Sequence, residues 1–107
     1  MGGFAVTDRF VVGEVYFRVK YGERLHKYPL IDSFVFVGKN LSDEDQEDTW
    51  YFQFADSYAK FGSVLETKGG DRRVSCVVKS ELDDMIDAQG LLHKLDEAMK
   101  RRGIMKG

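Results

Sequence analysis

The sequence is poor in cysteine and proline. Its 107 residues include one cysteine, Cys76, and one proline, Pro29. A single cysteine cannot form a disulfide within the chain, whereas small domains of oxidising compartments usually carry paired cysteines, so we expect a cytoplasmic protein. Residues 1–8 show no basic region followed by an apolar run, and therefore do not predict a signal peptide. No apolar run approaches the ~20 residues of a membrane span.

The sequence also lacks the clusters that mark metal, cofactor or nucleophile sites. The two histidines, His26 and His93, are far apart, and neither has another His or Cys at ligand spacing. Cys76 alternates within an apolar run, which is typical of a small buried side chain rather than a reactive thiolate. We predict no catalytic, cofactor-binding or metal-binding residue. The alternative is an enzymatic or small-molecule site between sheet and helices that uses Cys76 or His93.

A strong basic excess is absent as well. The formal net charge is −2, and neither half of the chain has the positive charge expected of a protein that binds phosphate backbones. This argues against a nucleic-acid function. A single-stranded nucleic-acid binder remains an alternative, because one sheet face could combine aromatic and polar or cationic side chains, namely Tyr16, Arg18, Lys20, Tyr51 and Gln53.

Apolar and polar residues alternate over much of the first 78 positions, which predicts strands with one buried face. Phe34 and Phe36 alternate with Val35 and Val37, so apolar residues on both faces indicate a central strand. A Gly-Gly pair at 69–70 favours a hairpin turn. Strands are expected at residues 10–21, 30–37, 49–55, 63–67 and 72–78.

Helical spacing of apolar residues begins after Lys79. Ser80 is followed by acidic residues, which is typical of a helix N-terminus. Gly90 predicts a break or bend, and helical spacing then continues to Arg102, with Gly103 closing the helix. A short helical turn is also expected between a cap at Asp56 or Ser57 and a terminating Gly62.

The aromatic residues are confined to one part of the chain. All fourteen lie between Phe4 and Phe61, and the later helices offer aliphatic side chains instead. The sequence predicts a single α+β domain over residues 1–107, strand-rich at 10–78 and helical at 80–102. Its antiparallel sheet has four to five strands, and one face is packed by one or two C-terminal amphipathic helices. We expect Trp50, Phe52 and Phe54 to face those helices.

Five acidic residues occupy the six positions 43–48: Asp43, Glu44, Asp45, Glu47 and Asp48. Because like charges repel, we expect a solvated loop between two antiparallel strands. The run lacks the central glycine and terminal glutamate spacing of a calcium-binding loop. An acidic loop of this kind can steer association with a basic protein.

By elimination, the sequence favours a non-enzymatic protein-binding domain, of an inhibitor or immunity type. The contact is expected through the acidic loop or through an exposed sheet face that carries Tyr16, Val35 and Tyr51. The expected partner is another protein, basic if the acidic loop makes the contact. A homodimer through the exposed sheet face is a further alternative, and no membrane partner is expected.

Overall fold

The computed structural model describes residues 6–7, 9–66 and 73–103. Seven strands, two α-helices and one 3₁₀ helix follow one another along these residues. In chain order they are β1 (Val6–Thr7), β2 (Phe10–Val11), β3 (Val15–Tyr21), β4 (Pro29–Lys39), β5 (Thr49–Phe54), α1 (Ala55–Phe61), β6 (Val74–Val78), the 3₁₀ helix (Lys79–Asp84), β7 (Met85–Ile86) and α2 (Ala88–Arg101).

Five of the strands form one antiparallel sheet in the order β6-β5-β4-β3-β7. The chain is therefore α+β, as predicted, with its helices mostly toward the C-terminus. The central strand β4 is buried on both faces over residues 34–37, since Phe34 and Phe36 on one side and Val35 and Val37 on the other are each at most 5% exposed. This confirms that residues 30–37 form a central strand, although its first residues are not covered, since Leu30 is 60% exposed and Ile31 41%.

The sheet curves strongly because its two edge strands are joined by a short connection. The six residues of the 3₁₀ helix lead from β6 directly to β7. A 3₁₀ helix of that length spans about 12 Å. Four interstrand spacings of about 4.8 Å would place the edges of a flat sheet about 19 Å apart. The edges must therefore approach each other, so the sheet curves around its aromatic face.

The N-terminal hairpin β1–β2 covers the aromatic face. Gly13, with φ of 91°, turns the chain between β2 and β3, so the strand expected at 10–21 is split and folds back on itself. Phe10 is fully buried, and its ring centroid lies 4.9 Å from that of Tyr16 and 5.2 Å from that of Phe52. The core cluster around these rings includes Met85 and no residue of α2. The expectation that the C-terminal helix packs on Trp50, Phe52 and Phe54 is therefore wrong.

Both α-helices pack on the opposite face of the sheet. Helix α1 contacts β4 and β5, while α2 contacts β3 and β7. Beneath α1, the fully buried Gln53 side chain donates to Ser57 Oγ at 3.1 Å and to the Gly62 carbonyl at 3.0 Å. Its carbonyl oxygen accepts from Val64 N at 3.0 Å. Gln53 was expected to be available for contact, but this network buries it, because α1 folds directly back over β5.

The C-terminal region differs from the predicted helix in two respects. Residues from Ser80 form the 3₁₀ helix and then β7, and α2 begins only after Asp87, whose side chain accepts from Gly90 N at 2.9 Å. Gly90 does not break the helix. It lies in the first turn, where an added Cβ would stand 3.0 Å from the Cβ of Ile86. Gly90 thus allows α2 to approach β7 closely.

The strand and hairpin expected around residues 63–78 are confirmed only in part. Residues 64–66 form a turn rather than a strand. Strand β6 does form, but it pairs with β5. The Gly-Gly pair at 69–70 lies outside the described residues.

Candidate protein-contact surfaces

Of the three sheet residues predicted to make contact, Tyr16 and Val35 are buried and Tyr51 is half-buried. Tyr16 is 5% exposed in the aromatic core, and its hydroxyl accepts from Val11 N at 2.8 Å. Val35 is 5% exposed on the helix-covered face. The placement of Tyr16 and Val35 on an accessible face is therefore wrong. The physical reason is that both faces of the sheet are covered, one by the N-terminal hairpin and the other by the helices.

The acidic run does form a loop between two antiparallel strands, β4 and β5, as predicted. Asn40, with φ of 54°, closes this loop: its side chain accepts from Thr49 N at 2.8 Å and donates to Asp48 at 3.0 Å. Lys39 Nζ lies 3.6 Å from the Asp48 carboxylate. The Asn40 side chain, with the Lys39 ammonium, holds the pKa of Asp48 below its ordinary value.

A hydrogen bond from β5 holds the middle of the acidic loop against the sheet. The Tyr51 hydroxyl donates to the Asp45 carboxylate, with oxygen distances of 2.6 and 2.7 Å. This hydrogen bond, together with desolvation, raises the pKa of Tyr51 to about 12. Asp45, which is half-buried, and Asp48 therefore help to hold the loop. The carboxylates of Asp43, Glu44, Glu47 and Asp48 are exposed, and among these four Asp48 is the one bound by Asn40 and Lys39.

The loop between β3 and β4, at the other end of β4, is built around one carboxylate. Glu23 accepts from the backbone N–H groups of Leu25 at 3.0 Å, Lys27 at 2.5 Å and Tyr28 at 3.0 Å. Desolvation acts to raise the pKa of Glu23, but these three bonds outweigh it and hold the pKa below its ordinary value. One side chain thus fixes the path of the loop.

The end of α2 fastens the same loop from the side. Arg101 donates to the His26 carbonyl at 3.1 Å, and Arg102 donates to the Lys27 carbonyl at 2.6 Å. The Arg102 guanidinium also lies 5.6 Å from the centre of the Tyr28 ring. His26, with φ of 55°, stacks on Tyr21 at 4.4 Å between ring centroids. The cations at the end of α2 therefore bind loop carbonyls, beyond the favourable interaction with the helix dipole that the sequence indicated.

This fixed loop and the start of β4 present large apolar side chains to solvent. Leu25 is 66% exposed, Tyr28 62% and Leu30 60%. Arg24 is also exposed, and Lys27 is half-buried. We call these five residues, Arg24, Leu25, Lys27, Tyr28 and Leu30, the tip. The tip combines apolar area with a tyrosine and an arginine, two residue types that are enriched at protein interfaces.

The enzymatic alternative placed a site at Cys76 or His93. The cavity beside Cys76 has a volume of about 110 Å³ and is lined by polar groups that include Arg18, Glu81 and Asp84. Ligand pockets usually have volumes of roughly 300 Å³ or more. Burial, and the charge of Asp45, raise the pKa of the Cys76 thiol, which opposes thiolate formation.

A larger cavity of about 370 Å³ lies between the N-terminal hairpin and the 3₁₀ helix, and it is open to solvent. Neither Cys76 nor His93 lines it. His93 instead lies on the exposed surface of α2, with its Nε2 3.6 Å from Glu97. The two residues of the enzymatic alternative therefore share no cavity among those described here.

Within residues 6–7, 9–66 and 73–103, no group of three or more His, Cys, Asp or Glu side chains is placed to hold a metal ion. No helix of these residues is long and apolar enough to span a membrane.

Comparison of the chain with protein-family models, curated proteins and solved structures returned no match. Its function must therefore be inferred from the geometry of the described residues.

The sequence contains a signal for the tip in the segment between the strands expected at 10–21 and 30–37. Leu25 stands between Arg24 and His26, and Tyr28 follows Lys27, so apolar and basic residues alternate in a segment too short for a strand. A glutamate at the start of such a segment can cap several following N–H groups. What the sequence does not reveal is that Arg101 and Arg102, more than seventy residues away, hold the segment in place.

Proposed function

We propose that this protein is a small non-enzymatic binding domain, and that the tip is its main protein-contact surface. The observation that carries the proposal is the exposure of Leu25, Tyr28 and Leu30, each at 60% or more, along the end of the β3–β4 loop and the start of β4. Exposed apolar groups that cluster in this way are typical of interaction sites, whereas single exposed apolar residues are ordinary.

The rigidity of the loop supports the same proposal. A contact loop that is already ordered loses little conformational entropy when it binds, which favours affinity. Glu23 orders the loop from inside, and Arg101 and Arg102 order it from α2. A loop with no binding role would not need three separate attachments to expose leucine and tyrosine to water. As part of this proposal we place the protein in the cytoplasm, on the evidence of its single cysteine.

The proposal is tested by capture from a cell lysate on immobilised protein. The tip variant carries Leu25→Ser and Tyr28→Ser. Leu92→Ser is the matched control, because Leu92 on α2 is 65% exposed and Leu25 is 66% exposed. We expect proteins that bind wild type and Leu92→Ser to be lost from the tip variant. Equal capture by all three proteins, with thermal unfolding unchanged, would remove the tip from the function.

The acidic loop is the second candidate surface. It is supported by the fixed geometry of Asp45 and Asp48, which leaves Asp43, Glu44 and Glu47 exposed toward a basic partner. Neutralising those three exposed residues to Asn or Gln keeps the bonds that close the loop. If binding and its salt dependence are then unchanged, the acidic loop takes no part in contact.

A further inference from the structure

The tip and the acidic loop lie at opposite ends of the same strand. Leu30 is the second residue of β4 and the other four tip residues precede that strand, whereas the acidic loop follows Lys39, its last residue. Eleven residues of extended chain span about 33 Å, so the two surfaces lie about that far apart along the strand.

The two ends carry opposite charge. Arg24, Lys27 and Arg102 are cations at the tip end, where the nearest loop carboxylate, Glu23, is bonded to three backbone N–H groups. The acidic loop exposes Asp43, Glu44 and Glu47. The Debye length is about 8–10 Å at physiological ionic strength, so charges about 30 Å apart do not neutralise each other within one molecule.

The apolar parts of the two ends also correspond. The tip offers Leu25, Tyr28 and Leu30. Beside the acidic loop, Leu41 is 42% exposed and lies against Gly38, where an added Cβ would approach Leu41 Cδ2 to 2.9 Å. One end thus combines an apolar residue with the carboxylates of the same loop, and the other end combines apolar residues with cations.

We infer that the partner of the tip is a second copy of this chain, and that the tip of one copy docks on the acidic loop of the next. This inference rests on the proposed function of the tip. The contact is head-to-tail, so each copy keeps a free tip or a free acidic loop, and association continues beyond a dimer unless a ring closes. Because both surfaces are small loops, we expect weak association that salt reverses.

Two variants test the inference by sedimentation equilibrium. The tip-charge variant carries Arg24→Glu and Lys27→Gln. The loop variant carries Asp43→Asn, Glu44→Gln and Glu47→Gln. At about 0.5 mM protein, a concentration suited to weak complexes, the apparent mass of the wild type should be larger than the monomer mass. It should return toward the monomer mass as salt rises from about 0.05 M to about 0.5 M. The monomer mass is 12.3 kDa.

The decisive measurement is a mixture. Each variant alone should be a monomer, since each lacks one of the two surfaces. Mixed in equal amounts, they should form a dimer and nothing larger, because only one productive contact is then possible. Lys60→Glu with Lys94→Glu, two exposed lysines on the helices, controls for added negative charge and should associate like wild type.

Three results overturn the inference: a monomeric wild type, association by either variant alone, or a mixture that stays monomeric. A monomeric wild type that binds a mixed-sequence single-stranded oligonucleotide through Arg24 and Lys27 identifies nucleic acid as the occupant instead. Lysate capture that depends on Leu25 and Tyr28 would still support the proposed binding function in those cases, so the two proposals can fail separately.

Discussion

Replacing Phe10 by alanine tests whether the N-terminal hairpin, rather than α2, covers the aromatic face. Phe10 is 0% exposed and belongs to the same core cluster as Tyr16, Phe36 and Phe52. Burying a phenylalanine side chain contributes about 2–3 kcal/mol by area transfer. The cavity left by truncation raises the total cost to about 3–5 kcal/mol. This is a large share of the roughly 5–15 kcal/mol that stabilises a domain.

Urea unfolding followed by Trp50 fluorescence measures this cost. Trp50 is the only tryptophan and is 2% exposed, so its emission reports loss of the core. With a urea slope of about 1–3 kcal/mol per molar, Phe10→Ala should lower the midpoint by about 2 M. Leu92→Ala, which removes an exposed leucine, should change stability by no more than about 0.5 kcal/mol.

A double-mutant cycle adds a second readout of the same packing. The rings of Phe10 and Phe52 meet edge to face, 5.2 Å apart and 83° between planes, and such pairs couple by about 0.5–1.5 kcal/mol. If Phe10→Ala costs less than about 1 kcal/mol and shows no coupling to Phe52→Ala, the hairpin does not cover the core and the reasoning fails.

Two further predictions concern the loops. The Tyr51 phenol should titrate at about 12, and Asp45→Asn should return it toward 10.0, as measured by phenolate absorbance. Because the folded pKa is the higher one, this bond stabilises the fold fully below pH 10 and is lost as pH rises toward 12; identical titration of the two proteins would contradict the bond. The Glu23 pKa is lowered, so its stabilisation is present above about pH 4.5 and is lost as pH falls through the folded pKa. In wild type, backbone nitrogen relaxation at Leu25 and Lys27 should show an ordered loop at pH 7 that becomes mobile only when the pH falls below the folded pKa of Glu23. In Glu23→Gln, the loop should be mobile already at pH 7. Equal order in both proteins at pH 7 would show that Glu23 does not fix the loop.

Local patterns predicted most of the elements because strand and helix periodicity are properties of short segments. The alternation at 30–37 located the central strand, and the crowding of like charge at 43–48 located a solvated loop. The exception at 10–21 depends on Gly13, whose φ of 91° permits a turn that the apolar pattern does not indicate. The α-helix predicted from Ser80 is instead a 3₁₀ helix, because a capping pattern fits the start of either type of helix.

The predicted contact residues are partly exposed and partly buried, and local pattern again explains which of them were predicted correctly. Asp43, Glu44 and Glu47 are exposed as expected, because repulsion among neighbouring charges depends only on the sequence. Tyr16 and Val35 are buried, because period two assigns residues to opposite faces without stating what covers each face. Their exposure depends on which elements pack on each face of the sheet, and those elements come from distant parts of the chain.

By itself, the sequence determined the class of fold, the central strand and the acidic loop, since these follow from local periodicity, propensity and charge. Only the tertiary structure decided that Phe10 packs on the aromatic face of the sheet and that both α-helices pack on the opposite face. It also decided that Arg101 and Arg102 fix the tip, with its leucines and tyrosine exposed. These contacts join residues far apart in the chain, and their formation depends on how the curved sheet brings its edges and its loops together.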